Sequence, residues 1–407
     1  MSDIRLREAD QPIAVEMPRE VALALIDAQV ASIAPTADDG VWSVKSVQRV
    51  GAIRVAGYEV HIAPKLPIGR LLHMLSYAKD PTRGWRDDDV QLDHDTDLID
   101  AIAHVYVVAL RRSIARGLLQ GYRHVSEASN TVRGRIDFAE QIKRHGGLPA
   151  PIEVTYDEYT IDVPENQILA SAIDRLLRLP RLASATRRRL RHEQTLFAEV
   201  SRVPQGMRIS RTVLDRRTAH YRGAIDIAHL ILNATSLEHR SGTLQATGFL
   251  LNVASVFEDF VGAVITGRLQ QNFGVVRLQD RSHLDEARRL SIRPDIVWKS
   301  RDHALAVMDA KYKAEKPSGY PHADVYQMLA YCTRYGLTDG HLIYAAGETE
   351  QLVHEILGAD VRIHCHAVDL SGSIGEMHAS IQAVADRVAW IAQSPISDTV
   401  GSPANGQ

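Results

Sequence analysis

Ser291-Ile292-Arg293-Pro294-Asp295-Ile296-Val297-Trp298 and Ala304-Leu305-Ala306-Val307-Met308-Asp309-Ala310-Lys311-Tyr312-Lys313 are the two stretches that decide the fold. Both are apolar and strand-like. The polar link Lys299-Ser300-Arg301-Asp302-His303 is short enough to join them as a hairpin and bring Asp295 close to Asp309. Side chains alternate along a strand, so Asp309, Lys311 and Lys313 are expected on one face and Met308, Ala310 and Tyr312 on the other. Acids and an amine inside a sheet are costly to bury unless something compensates them.

A divalent cation held by Asp295 and Asp309, with Lys311 beside it, supplies that compensation and is the constellation expected of a metal-dependent phosphodiesterase. Mg²⁺ takes oxygen ligands and keeps several waters, so one or two carboxylates plus a substrate phosphate suffice; Mn²⁺ is an expected substitute. Such a cation offsets charge on the phosphate, and a lysine alongside can orient or activate the attacking water. The plainer alternative is an edge hairpin whose Asp and Lys form a solvated ion pair.

The flanking sequence bears on that choice. Gly248 to Ile265 is strongly apolar and helix-like, and Glu258 falls at helical spacing from Leu251, Ala254, Val261, Gly262 and Ile265, which puts it on the buried face. Asp259 projects elsewhere, as ordinary surface. Glu258 can reach a metal directly or through water, or it can cap the core edge. Ala323 to Tyr331 is predicted as a helix with Gln327 and Tyr331 one turn apart. Gln327 there can position a water or a phosphate.

The order is helix with Glu, strand with Asp, strand with Asp-x-Lys, helix with Gln-x-x-x-Tyr. It resembles the core of the PD-(D/E)xK nucleases. The resemblance implies Asp295, Asp309, Lys311, Glu258 and Gln327 as catalytic residues, with the metal held by Asp295, Asp309, the Ala310 carbonyl and Glu258.

At 407 residues, with 45% hydrophobic and 24% charged residues, the chain is expected to form two or three soluble globular domains. No apolar span is long enough to cross a membrane and no signal-peptide pattern opens the chain, so a cytoplasmic protein is expected. The two cysteines, Cys332 and Cys365, make neither a disulfide framework nor a four-cysteine zinc site. No G-x-x-x-x-G-K-[ST] loop occurs, so the chain should bind no nucleotide alone. The net charge of −3 carries no global sign of nucleic-acid binding. Arginine is nevertheless concentrated at Arg187-Arg188-Arg189, Arg191, Arg211, Arg216-Arg217 and Arg222, as a solvated helix face or as a patch for phosphates or an acidic partner. His364-Cys365-His366 has a spacing that could take zinc, but its alternation reads more simply as a strand with both histidines on one face.

The expected architecture is multidomain α+β or α/β: a β-rich N-terminal partner-docking domain over 1–95, a helix-rich middle over 96–241, a PD-(D/E)xK restriction-endonuclease-like core over 242–393 and a disordered tail over 394–407. In the N-terminal part Pro18 to Ile33 is predicted as a helix, followed by strands at 41–47, 52–56 and 58–62. Several motifs in order resemble the McrC family, the nuclease subunits of modified-cytosine restriction systems. They are Val50 to Val55 followed by Ile62-Ala63-Pro64-Lys65-Leu66, then Leu72 to Ala78, Val132-Arg133-Gly134-Arg135-Ile136-Asp137, Phe257-Glu258-Asp259-Phe260-Val261, and the two stretches quoted first.

That resemblance implies a Mg²⁺-dependent endonuclease acting on double-stranded DNA that carries modified cytosine. It also implies a McrB-like AAA+ GTPase hexamer as partner, whose GTPase the chain stimulates, with Arg133, Arg135 and Pro64-Lys65 in the docking portion. Two other functions fit the residues alone: a catalytically silent adaptor that activates an AAA+ ring, and a stand-alone repair nuclease.

Overall fold

Of the chain, the computed structural model describes residues 2–8, 10–55, 57–79, 81, 97–146, 148, 150–179, 182–204, 207, 214–216, 218–234, 246–301, 303–312, 322–345 and 352–393. Lys313, Arg211, Arg217 and the tail from Ser394 lie outside these residues. The chain divides into two compact units, Met1–Lys65 with Leu92–Leu251, and Leu66–Gln91 with Asn252–Gln407.

The first unit begins with β1 (Ser2–Arg7), β2 (Ile13–Glu16), α1 (Arg19–Asp27), β3 (Ala31–Pro35), β4 (Val41–Ser46), β5 (Arg49–Val55) and β6 (Tyr58–Ala63). After α2 (Ile68–Lys79), which groups with the second unit, come α3 (Leu98–Ile114), β7 (Gly121–Ser129), β8 (Arg135–Ile136), α4 (Phe138–His145), β9 (Ile152–Thr160), α5 (Pro164–Arg178), α6 (Ser184–Leu196), α7 (Arg222–Ala234) and β10 (Ala246–Asn252). The sheets run β1-β6-β5-β10, β2-β4-β3 and β7-β9-β8. A core of Ile4, Val21, Leu25, Val44, Ile53, Ile62 and Leu250 closes the N-terminal strands against α1.

Two sequence expectations are corrected here. The helix predicted over Pro18 to Ile33 ends at Asp27, because Gln29 takes a left-handed φ of 52° and the chain turns back as β3 to pair with β4. The run from Gly248 to Ile265 is not one helix: its start belongs to β10, and the helix opens only after Asn252, whose side-chain oxygen accepts from the Ser255 N–H. Gly248 explains why the strand wins. A Cβ there would sit 2.5 Å from the Ile53 Cα, so only glycine lets β10 lie on β5.

The Arg-Gly-Arg-Ile-Asp stretch has an equally local explanation. Gly134 takes φ +66°, with no room for a Cβ beside the Thr155 carbonyl oxygen (2.4 Å), and Asp137 caps α4 through the N–H groups of Ala139 and Glu140. Arg187 is structural too, donating to the carbonyls of Leu177 and Leu179 at 2.7 and 3.4 Å.

The second unit holds α2, α8 (Val253–Leu269), β11 (Val275–Leu278), β12 (Ser282–His283), β13 (Ser291–Ile292), β14 (Ile296–Ser300), β15 (His303–Lys311), α9 (His322–Tyr335), β16 (Asp339–Tyr344), β17 (Leu352–Glu355), β18 (Arg362–Ala367) and α10 (Ile374–Gln393). Its sheet is β11-β14-β15-β16-β18-β17, with β14 and β15 antiparallel and β15, β16 and β18 parallel. The expected hairpin forms, and its pairing shifts by one residue at Trp298/Lys299.

Ser291 to Trp298, however, is not one strand. Pro294 has no N–H to pair and pushes Arg293 out of regular geometry, so β13 pairs with β12 in a separate ribbon before β14 begins. Val297, Val307, Met328, Tyr331, Leu342 and Cys365 form the core under α9. On the other face Met308 and Ala310 are fully buried and α8 and α10 pack on β15, with the rings of Phe257 and Tyr312 at 5.9 Å. Covered on both faces, β15 buries the whole run Ala306–Ala310, the polar Asp309 included. No helix among the described residues is long and apolar enough to cross a membrane.

Candidate functional site

β15 delivers Asp309 and Lys311 to the face under α9, as alternation requires. Asp309 is 2% exposed, and its carboxylate contacts the Lys311 ammonium directly. Although they touch, no aligned hydrogen bond reaches Asp309 Oδ2. The ammonium also donates to Gln327 Oε1 at 3.0 Å, and Gln327 Nε2 donates to the Tyr331 hydroxyl at 2.8 Å. One turn of α9 thus holds the lysine in place from the far side. Burial opposes the Lys311 charge, but Asp309 and Asp295 outweigh it, and the net shift is upward.

Asp295 comes from the irregular residues ahead of β14. Its Oδ2 accepts the Ala310 N–H at 2.9 Å. Amide and carbonyl of one strand residue leave the same edge, so the Ala310 carbonyl also points to the Asp295 side. Burial first, and the Asp309 charge second, push the Asp295 carboxyl up to about 7. Tyr331 is shifted upward by burial, then by Asp309 and Asp295.

The structure therefore brings together Asp295, Asp309, Ala310, Lys311 and Gln327. Glu258 is placed less closely. It is half-buried on α8 and makes no hydrogen bond or ion pair among the described residues, yet burial raises its carboxyl while Lys311 lowers it and Asp309 raises it further. Asp259, expected as surface, is exposed and lies 3.7 Å from Lys79.

One residue escaped the sequence reading. Gln279 donates its side-chain amide to Asp295 Oδ1 at 2.8 Å and its backbone N–H to the Asp295 carbonyl at 2.8 Å, from a left-handed φ of 53°. Only the β11–β14 pairing, with Leu278 opposite Ile296, puts it there.

The donor set suits a hard cation. The Asp309 carboxylate is buried against the Lys311 ammonium, and beside it Asp295 is raised by burial and then by the Asp309 charge, so the two acids present oxygen ligands of the kind a hard cation takes. Among the described residues no three His, Cys, Asp or Glu side chains are drawn together as a metal cluster, so such an ion would rest on two carboxylates, a backbone carbonyl and waters.

The histidines of β18 lie elsewhere. His364 and His366 share the face expected and stack with His341 of β16 at 5.0 and 5.4 Å. His341 Nδ1 lies 3.1 Å from His366 Nε2, and His364 Nε2 bonds Asp339 Oδ1 at 2.7 Å. This is a buried, hydrogen-bonded ladder.

Comparison with known proteins adds the following. Residues 44–345 match the family described as McrBC 5-methylcytosine restriction system component. No curated protein matches. A chain of the refined half-complex from the tetradecameric assembly of Thermococcus gammatolerans McrB AAA+ hexamers with bound McrC is similar over 95% of this chain and 100% of its own, at 17% identity and a TM-score of 0.61. A chain of the Thermococcus gammatolerans McrBC complex solved by cryo-electron microscopy is similar over 66% of this chain and 88% of its own, at 17% identity and a TM-score of 0.41. At 17% identity the likeness to the first of these is one of fold.

Proposed function

The chain belongs to the family of McrBC 5-methylcytosine restriction system components, and from that premise we propose that it is the subunit that cuts DNA, a Mg²⁺-dependent endonuclease. The observation that carries this reading is the convergence of Asp295, Asp309 and Lys311, tied together by the Ala310 amide, within the matched span. The second unit is then a PD-(D/E)xK core, and the first unit a partner-docking and regulatory portion.

Asp295, Asp309 and the Ala310 carbonyl would hold the cation, with Glu258 of α8 as a further ligand, direct or through water. Mg²⁺ bound there offsets negative charge on the scissile phosphate, and Mn²⁺ substitutes for it. Lys311 is fixed between Asp309 and Gln327, which places it to orient or activate the attacking water and to offset charge on the phosphate. Gln327, anchored on Tyr331, sets where that ammonium points.

The partner is a McrB-like AAA+ GTPase hexamer that supplies motion and recognition of DNA carrying modified cytosine, and whose GTPase this chain stimulates. Support comes from the named complex in which the similar fold is found. The first unit also offers exposed apolar side chains unusual for a free surface: Phe138, Ile142 and Leu148 are 69%, 66% and 64% exposed on and just after α4. The deciding experiment measures both activities in one preparation. Asp309→Ala should abolish cleavage of modified DNA while GTPase stimulation persists; full cleavage by Asp309→Ala would falsify the site.

A further inference from the structure

Between β11 and Pro294 the chain leaves the sheet for the β12–β13 ribbon, in which Ser282 pairs with Ile292 and His283 with Ser291. The stretch from Arg277 to Arg293 is rich in arginine: Arg277, Arg281, Arg288, Arg289 and Arg293 are all exposed. Two of its three acids are already engaged. Asp280 accepts from Lys299 Nζ at 2.6 Å and from the Tyr335 hydroxyl at 2.8 Å. Asp285 accepts the backbone N–H groups of Arg289 and Leu290 at 2.9 and 2.7 Å, closing the ribbon's turn. Glu286 alone among the three remains to oppose the arginines.

α9 supplies the other wall. Arg334 Nε donates to the His283 carbonyl at 2.7 Å, and ribbon and helix border an open cleft of about 530 Å³ whose charged lining is Arg281, Arg288 and Arg334 with Asp285 and Glu286. The cleft is mechanically joined to the acid pair, because Gln279, which grips Asp295 through backbone and side chain, stands two residues before Arg281. Two residues of chain span at most about 7 Å.

We propose that this cleft binds the sugar-phosphate backbone of the DNA flanking the cut, with Arg281 and Arg288 each neutralising a phosphate. The assignment rests on the nuclease reading of the acid pair. Guanidinium groups suit the task because they meet phosphate oxygens through paired N–H donors. The ribbon then reads no sequence; it fixes the strand's register at the site.

The test is fluorescence anisotropy of the full-length chain with a short fluorescein-labelled unmodified duplex, in EDTA so that nothing is cut, across a KCl series. Arg281→Gln with Arg288→Gln should weaken binding about tenfold and lower the slope of log affinity against log salt by about 2, roughly one for each phosphate lost. Arg281→Lys with Arg288→Lys should recover most of the slope. A control pair on the first unit, Arg19→Gln with Arg116→Gln, should change neither. Unchanged affinity and slope in the glutamine pair, or equal weakening by the control pair, overturns the proposal. Asp309→Ala is assayed for cleavage in parallel. If it is dead while the glutamine pair binds normally, the cleft falls and the nuclease reading stands. If it still cuts while the glutamine pair binds weakly, the assignment of the cut to the acid pair falls and the phosphate site stands.

Discussion

The backbone N–H of Ala310 donates to the Asp295 carboxylate across the mouth of the β14–β15 hairpin, at 2.9 Å. The residue between Asp309 and Lys311 thereby fixes the second acid against the first, with no side chain of its own involved. Divalent-ion binding should expose this coupling directly. Mg²⁺ is expected to raise the melting temperature of the wild-type chain, and EDTA to reverse the rise. Asp295→Asn and Asp309→Asn should each abolish the Mg²⁺-dependent part. A full Mg²⁺ shift in both variants would place the ion elsewhere.

Gln279 holds Asp295 from the opposite side, so its removal should be felt at the acid pair. Gln279→Ala is expected to lower cleavage about tenfold or more and to weaken the Mg²⁺-dependent rise in melting temperature. The melting temperature in EDTA should move little. If the Mg²⁺ response and cleavage are both intact, the contact is merely structural.

The histidine ladder gives a pH prediction. Burial, then the neighbouring His364 and Arg387 charges, holds His366 down at about 3 against an ordinary 6.5, and His341 is shifted the same way. The unfolded chain therefore binds these protons more readily than the folded one between those values. Stability contributed by the neutral rings is complete above the ordinary histidine value and is lost as pH falls toward the folded one. Urea midpoints of the wild-type chain should drop between about pH 7 and pH 5, and His366→Leu should flatten part of that drop. An unaltered pH slope in His366→Leu would remove the ladder from the account.

Gly248 carries a packing prediction in the first unit. A methyl group there must displace Ile53 or part β10 from β5, so Gly248→Ala should cost about 1–3 kcal/mol in chemical denaturation. A cost below about half a kcal/mol would mean the strands separate freely.

The hairpin was legible in the sequence because alternation and a short polar link are local signals, and both acids and the lysine followed from it; Gln327 followed from the one-turn spacing to Tyr331 on the next helix. Glu258 was legible only in part: periodicity set its helix face, while its distance from the acids depends on how α8 meets the sheet. Gln279 carried no local signal at all. The β12–β13 ribbon was hidden because Pro294 interrupts a run whose apolar pattern continues through it. Similarly, the apolar stretch from Gly248 looked helical because hydrophobicity does not reveal the close backbone approach that makes its first residues a strand.

The irregularity at Trp298/Lys299 sets the hairpin tip out of step with its base. An extra residue is absorbed on β15 above the shift, and below it Ile296 still faces Met308. Length changes at the tip can therefore be taken up before they reach the acids. The end of the hairpin remote from the chemistry is free to diverge, or to accept a grafted label or epitope, while the reactive end keeps its alignment.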